Sequence, residues 1–143
     1  MGKAIARRCT AAMAVLLYGP LGAGKTTFAQ GFVAELTGER ATSPTFVIAH
    51  RHAGSRASVC HLDLYRLSDA DMCADIDLDS YLDVDSIAIV EWPERAGAYA
   101  WPPDRIEIRL SLEKSGRAAD LQARGRCAAI LDSVLAGWAP APD

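Results

Sequence analysis

A glycine-rich loop set between an apolar run and a helical pattern constrains this chain more than any other feature. Residues 19–26 read Gly19-Pro20-Leu21-Gly22-Ala23-Gly24-Lys25-Thr26. They match G-x-x-x-x-G-K-[ST] at every fixed position. Before the loop, Ala14-Val15-Leu16-Leu17-Tyr18 is apolar throughout, as a central strand buried on both faces reads. After it, Phe28, Phe32, Val33 and Leu36 fall on one side of a predicted helix, and Gly38 supplies its stop. The glycines let the backbone wrap closely and turn its N–H groups inward toward phosphate oxygens. Lys25 places an ammonium on the β/γ-phosphates, and the Thr26 hydroxyl is suited to Mg²⁺. The helix starting near Lys25 aims its positive end at the same anion.

Such a loop needs an acidic partner for its metal at the end of a neighbouring buried strand. Two candidates follow apolar strands. Glu91 ends Ile87-Ala88-Ile89-Val90, and Asp63 follows Ser58-Val59-Cys60-His61-Leu62. Residue spacing does not decide which of them serves the metal and which a water.

The rest of the chain reads as one domain over residues 1–143, with a basic segment at 1–12 and a frayed tail at 138–143. Thr45–Ala49 and Ser58–Leu62 flank Ala53-Gly54-Ser55-Arg56 and predict an antiparallel hairpin. Seven aspartates fall between Asp69 and Asp85 without a Lys or Arg. This stretch predicts one or two short solvated helices, with Met72, Ile76, Leu78, Tyr81 and Leu82 inward. A calcium loop is disfavoured because the stretch lacks the glycine and terminal glutamate of an EF-hand. The span 94–104 reads as a loop. Arg105–Glu113 alternates as a half-exposed strand, with Ala118–Ala123 as its returning partner. Cys127, Ile130, Leu131, Val134 and Leu135 outline a final amphipathic helix.

Composition narrows the function class. The net charge is −3, which argues against a large nucleic-acid footprint but not against a local phosphate site. Asparagine is absent, which removes the Asn-Lys-x-Asp guanine-reading motif. The four cysteines form no C-x-x-C pair and read as reduced, mostly buried thiols. No stretch is long enough to span a membrane, so a cytoplasmic protein is expected.

Further motifs carry a specific resemblance. Gly19 to Thr27, Ser43-Pro44-Thr45-Phe46, His61-Leu62-Asp63-Leu64-Tyr65-Arg66 and Glu91-Trp92-Pro93-Glu94-Arg95, in this order and spacing, resemble the TsaE (YjeE) family. The likeness runs from about Val15 to Leu135. It implies an α/β fold: a single-domain P-loop NTPase whose mixed parallel/antiparallel central sheet is flanked by helices. It also implies an ATPase that binds ATP with Mg²⁺ and supports TsaB and TsaD in N6-threonylcarbamoyladenosine modification of tRNA, touching tRNA only through that complex.

By this carry-over, the catalytic set is Lys25, Thr45, Asp63 and Glu91, and the metal set is Thr26, Asp63 and Glu91. The nucleotide contacts are Gly19, Leu21, Gly22, Ala23, Gly24, Lys25, Thr26, Thr27, Ser43 and Trp92. Ser43 and Thr45 are expected on a switch-like loop near the γ-phosphate. Two departures stand out. The segment ahead of the first strand is short and basic, and Pro20 occupies a position where the family more often has Asp. Proline removes one N–H there.

Two other functions use the same loop. A small P-loop kinase would need an acceptor domain and an Arg-bearing lid, for which the chain is short. A nucleotide-gated binding module with negligible turnover has no distinguishing residue. An ABC-type ATPase is disfavoured by length and by the missing Leu-Ser-Gly-Gly-Gln signature. The aspartate-rich stretch offers a surface for a basic partner, or simply a solvated face.

Overall fold

A computed structural model describes residues 1–39, 47–67 and 75–138. Its centre is β1 (Met13–Tyr18), buried over almost its whole length. A strand this apolar has to be covered on both faces, and alternation divides its side chains between two cores. Met13, Val15 and Leu17 join a core with Phe28, Phe32, Val59, Ile87, Ile89, Ile106 and Ile108. Ala14 and Leu16 join a second core with Cys60, Leu62, Leu64, Leu78, Ala88 and Val90.

The remaining strands are β2 (Ala49–His52), β3 (Ser58–Asp63), β4 (Ser86–Glu91), β5 (Arg105–Glu113) and β6 (Gly116–Arg124). They form one sheet in the order β2-β3-β4-β1-β5-β6. β1 runs parallel to β4 and β5, and β3 runs parallel to β4. β2 and β6 add antiparallel edges. The mixed parallel and antiparallel sheet implied by the family resemblance is therefore present. Helices α1 (Gly2–Ala6), α2 (Lys25–Thr37) and α3 (Cys127–Ala136) supply Ile5, Phe28, Phe32, Val33, Cys127 and Val134 to the first core. The second core is closed by 3₁₀ turns at Leu78–Tyr81 and Pro93–Ala96 and by Tyr99 and Trp101.

Four expectations shift. Among the described residues the first hairpin strand lies at Ala49–His52, and Val47 and Ile48, expected in it, fall outside. Its register pairs Ala49 with Leu62 and His52 with Val59. An edge strand needs only backbone pairing on one side, so the polar His50-Arg51-His52 run can serve where an apolar run was expected. Thr45 and Phe46 lie outside the described residues, as do Met72 and most of the first half of the acidic stretch. In its described part that stretch forms a single 3₁₀ turn, capped by Asp77, whose carboxylate accepts from the Ser80 N–H. Residues 94–104 open with the second 3₁₀ turn before the loop begins. On α3, Leu135 is half exposed, while Cys127, Leu131 and Val134 are buried. Helix α1 was not legible in the basic start of the chain, yet Ile5 and Ala6 are fully buried.

Candidate nucleotide site

The loop between β1 and α2 sits at the carboxyl end of the parallel strands, where α/β sheets place their ligands. Gly19, Gly22 and Gly24 have φ of 137°, 79° and 102°, a region that side-chain-bearing residues seldom adopt. At Gly19 space is also missing. A Cβ there would lie 2.3 Å from the Leu110 carbonyl oxygen. Gly24 caps α2 without a side-chain hydrogen bond, and the first turn carries no acidic residue. The free N–H groups of this 13-residue helix thus face the loop, as an anion site requires.

Lys25 is almost completely buried. Its Nζ donates to the Gly19 carbonyl at 2.6 Å and the Pro20 carbonyl at 2.9 Å. It also lies 3.8 Å from the centroid of the Trp92 ring, a cation–π distance. Burial lowers the Lys25 ammonium from its ordinary range, opposed by the charges of Glu91, Glu94 and Asp63. Pro20 contributes through its carbonyl, which also accepts from the Ala23 N–H at 3.2 Å.

Glu91, at the end of β4, is 1% exposed. Its Oε2 accepts from the Thr26 hydroxyl at 2.8 Å, and its Oε1 lies 2.8 Å from His61 Nε2. Asp63 ends β3 directly opposite Glu91 in the sheet register. Its Oδ1 accepts from the Tyr65 N–H at 3.0 Å. Burial pushes the Asp63 carboxyl up, the Tyr65 N–H pulls it down, and Glu91 adds to the rise. An open cleft of about 260 Å³ brings together Leu21, Gly22, Gly24, Lys25, Thr26, Thr27, Asp63, Glu91 and Trp92. Ala23 is buried in the loop beneath it. Ser43 and Thr45 lie outside the described residues.

Trp92 has φ 60° and ψ 47°. A bulky residue in the left-handed region costs about 1–3 kcal/mol and persists where its surroundings hold it. Here the Tyr65 ring packs against it, tilted by 46° with centroids 4.9 Å apart, and the Arg95 guanidinium lies 5.9 Å from both rings.

Three residues of this site were given no role from the sequence, although two of them, His61 and Tyr65, stand in a motif that carries the resemblance. His61 carried a signal: strand alternation puts it on the same face as Asp63, two residues on. Tyr65 also lines the cleft, but its separation from Asp63 by a turn hid it. Arg117 carried no signal. It enters from the start of β6, lines the cleft and donates to the Gly22 carbonyl at 3.3 Å. In the aspartate-rich stretch, Asp77 caps its turn and Asp79 accepts from the Tyr99 hydroxyl. At least part of this charge is thus used locally.

The donor set suits a nucleotide phosphate with a divalent cation. A Cβ-free cradle, an uncapped helix start, a buried ammonium, a hydroxyl and two carboxylates converge on one cleft. Hard oxygen ligands of this kind are what Mg²⁺ takes beside phosphate.

Comparison with known proteins identifies relatives over most of the chain. A family model described as "Threonylcarbamoyl adenosine biosynthesis protein TsaE" matches residues 1–119. The tRNA threonylcarbamoyladenosine biosynthesis protein TsaE of Streptomyces coelicolor is 42% identical over 115 residues, covering 77% of this chain and 76% of that protein. Its Bacillus subtilis counterpart is 41% identical over 112 residues, covering 74% and 68%. The Mycobacterium tuberculosis counterpart is 39% identical over 104 residues, covering 66% of this chain and 61% of that protein. Among solved structures, the crystal structure of Bacillus subtilis YdiB superposes with a TM-score of 0.77 at 27% identity, covering 95% of this chain and 85% of that one.

Proposed function

The chain belongs to the TsaE family of tRNA threonylcarbamoyladenosine biosynthesis, and from that premise we propose that it is a P-loop ATPase that binds ATP with Mg²⁺ and drives the TsaB–TsaD complex through repeated rounds of tRNA modification. The observation that carries this reading is the hydrogen bond from Thr26 to Glu91 beside the buried Lys25. It joins the loop that would hold phosphate to the strand that would hold the metal's acidic partner.

In this reading Gly19 to Thr27 cradle the phosphates through backbone N–H groups, and Lys25 leaves the Gly19 and Pro20 carbonyls to reach the β/γ-phosphates. Bound Mg²⁺ supplies charge neutralisation on the phosphate oxygens. Thr26, Glu91 and Asp63 are the residues suited to hold it. In this reading Glu91, whose two oxygens meet Thr26 and His61, serves the metal through the oxygen that Thr26 shares. Asp63 has one oxygen on the Tyr65 N–H, and its other oxygen has no hydrogen bond among the described residues. That oxygen is available to the cation or to the attacking water. Hydrolysis then breaks the bond between the γ-phosphorus and the β–γ bridging oxygen. ADP, phosphate and one proton are released.

Ser43 and Thr45 would follow the γ-phosphate and release their loop on its departure. The family role implies work alongside other modification factors, and TsaB and TsaD are the partners this reading names. Among the described residues no helix is long and apolar enough to cross a membrane. Steady-state hydrolysis and nucleotide binding test the reading. Asp63→Ala and Glu91→Ala should bind ATP and lose turnover. Turnover equal to the unaltered protein in both would remove them from the mechanism.

A further inference from the structure

All three histidines of the chain stand on one face of the β2–β3 hairpin. His50 is the cross-strand partner of His61, and His52 follows two residues after His50. Of the three, His61 is the one aimed into the site. It is 0% exposed, and its Nε2 lies 2.8 Å from Glu91 Oε1. Its Nδ1 is buried and has no partner among the described residues. A Glu91 oxygen accepts at this position, so the contact assigns the donor role to Nε2–H.

The consequence falls on Glu91. A carboxyl group this deeply buried needs hydrogen-bond partners in place of water. Thr26 and His61 provide one bond each. The two donors differ in kind. The Thr26 hydroxyl sits on the loop that is to receive phosphate and metal, so its bond has to readjust when ligand arrives. His61 sits inside β3, paired with β4 in the parallel sheet, and stays fixed. It therefore sets the rotation of the carboxylate plane and leaves Oε2 turned toward the cleft.

We infer that His61 is a positioning residue for the metal side of the site: its Nε2–H anchors Glu91 Oε1 so that Oε2 is presented to Thr26 and the cation. This role rests on the Mg–ATP reading above. It differs from a merely structural role because it concerns one N–H at one atom. Partners of this kind behind a ligating carboxylate are worth about 10- to 100-fold in metal affinity or activity.

The test uses a fluorescent ATP analogue and free Mg²⁺. His61→Leu removes the donor. Binding of the analogue in EDTA should stay within about 2-fold, because the loop backbone is untouched. The Mg²⁺ concentration needed for its half-maximal effect on binding should rise about 10-fold or more, with kcat falling while KM for ATP holds. His61→Gln, whose amide N–H reaches the place of Nε2, should recover most of the Mg²⁺ dependence. His61→Asn, which is too short, should not. Circular dichroism melts establish folding, and the Gln and Asn pair carries the test if the Leu variant does not fold. An unshifted Mg²⁺ requirement in folded His61→Leu, or equal behaviour of Gln and Asn, overturns the role of His61 alone. Absence of any Mg²⁺ effect in the unaltered protein overturns it together with the Mg–ATP reading.

Discussion

Thr26 Oγ1 donates to Glu91 Oε2 at 2.8 Å, tying the first turn of α2 to the last residue of β4 across 65 positions of sequence. The two residues belong to different elements and meet because β4 lies beside β1 in the sheet, with Leu17 opposite Glu91. Replacing Glu91 with Gln keeps the shape and removes the charge. Nucleotide binding should persist while turnover falls by about 100-fold or more, the scale expected when a group acts on the transition state. Parallel measurement of Kd and kcat checks it. A common loss of both would mean that Glu91 serves the fold.

The glycines of the loop separate two kinds of constraint. At Gly22 an added Cβ meets nothing within 4 Å, so Gly22→Ala should cost only the left-handed penalty of about 1–2 kcal/mol. At Gly19 the same methyl collides with the Leu110 carbonyl, so Gly19→Ala should cost more and should also weaken phosphate binding. Urea melts of the two variants should rank them in that order.

Trp92 offers an optical reading of Lys25. The ammonium now sits over its ring, and movement of Lys25 to phosphate would remove that contact. Addition of Mg–ATP should change tryptophan emission, and Trp92→Phe should abolish the change despite Trp101 and Trp138. An equal change in Trp92→Phe would show that the signal arises elsewhere.

Much of this was legible from residues alone. The apolar run 14–18 could only be a covered strand, and the loop after it could only turn with glycines where it has them. Asp63 and Glu91 were found because each ends a hydrophobic strand. β2 was misplaced because an edge strand is held by backbone pairing and carries no apolar signature. Arg117 was hidden because its approach to Gly22 depends on how the β5–β6 hairpin folds back over the loop, a contact across 95 residues. α1 was hidden because five residues give too little periodicity to read.

Away from the site, Glu107 predicts an acid limb of stability. Burial alone would raise its carboxyl, but hydrogen bonds and charge from Arg105, then Arg124, outweigh it and hold it below its ordinary value. The folded state thus binds the Glu107 proton less readily than the unfolded chain. Its contribution is present above the unfolded carboxyl pKa, about 4.3, and is lost as pH falls through the folded value. Glu107→Gln should cost about 1–3 kcal/mol near neutrality and flatten this part of the pH profile. Denaturant midpoints between neutral pH and the acid range check both.

On the proposed reading, ATP turnover at Lys25 lets a modification complex cycle. Reconstitution of the chain with TsaB and TsaD from the same source, counting threonylcarbamoyladenosine formed per complex, measures this. With the unaltered chain, product should accumulate over many turnovers. With Lys25→Ala it should stop near one. Equal multi-turnover yield with Lys25→Ala would show that the complex cycles without ATP turnover at this site.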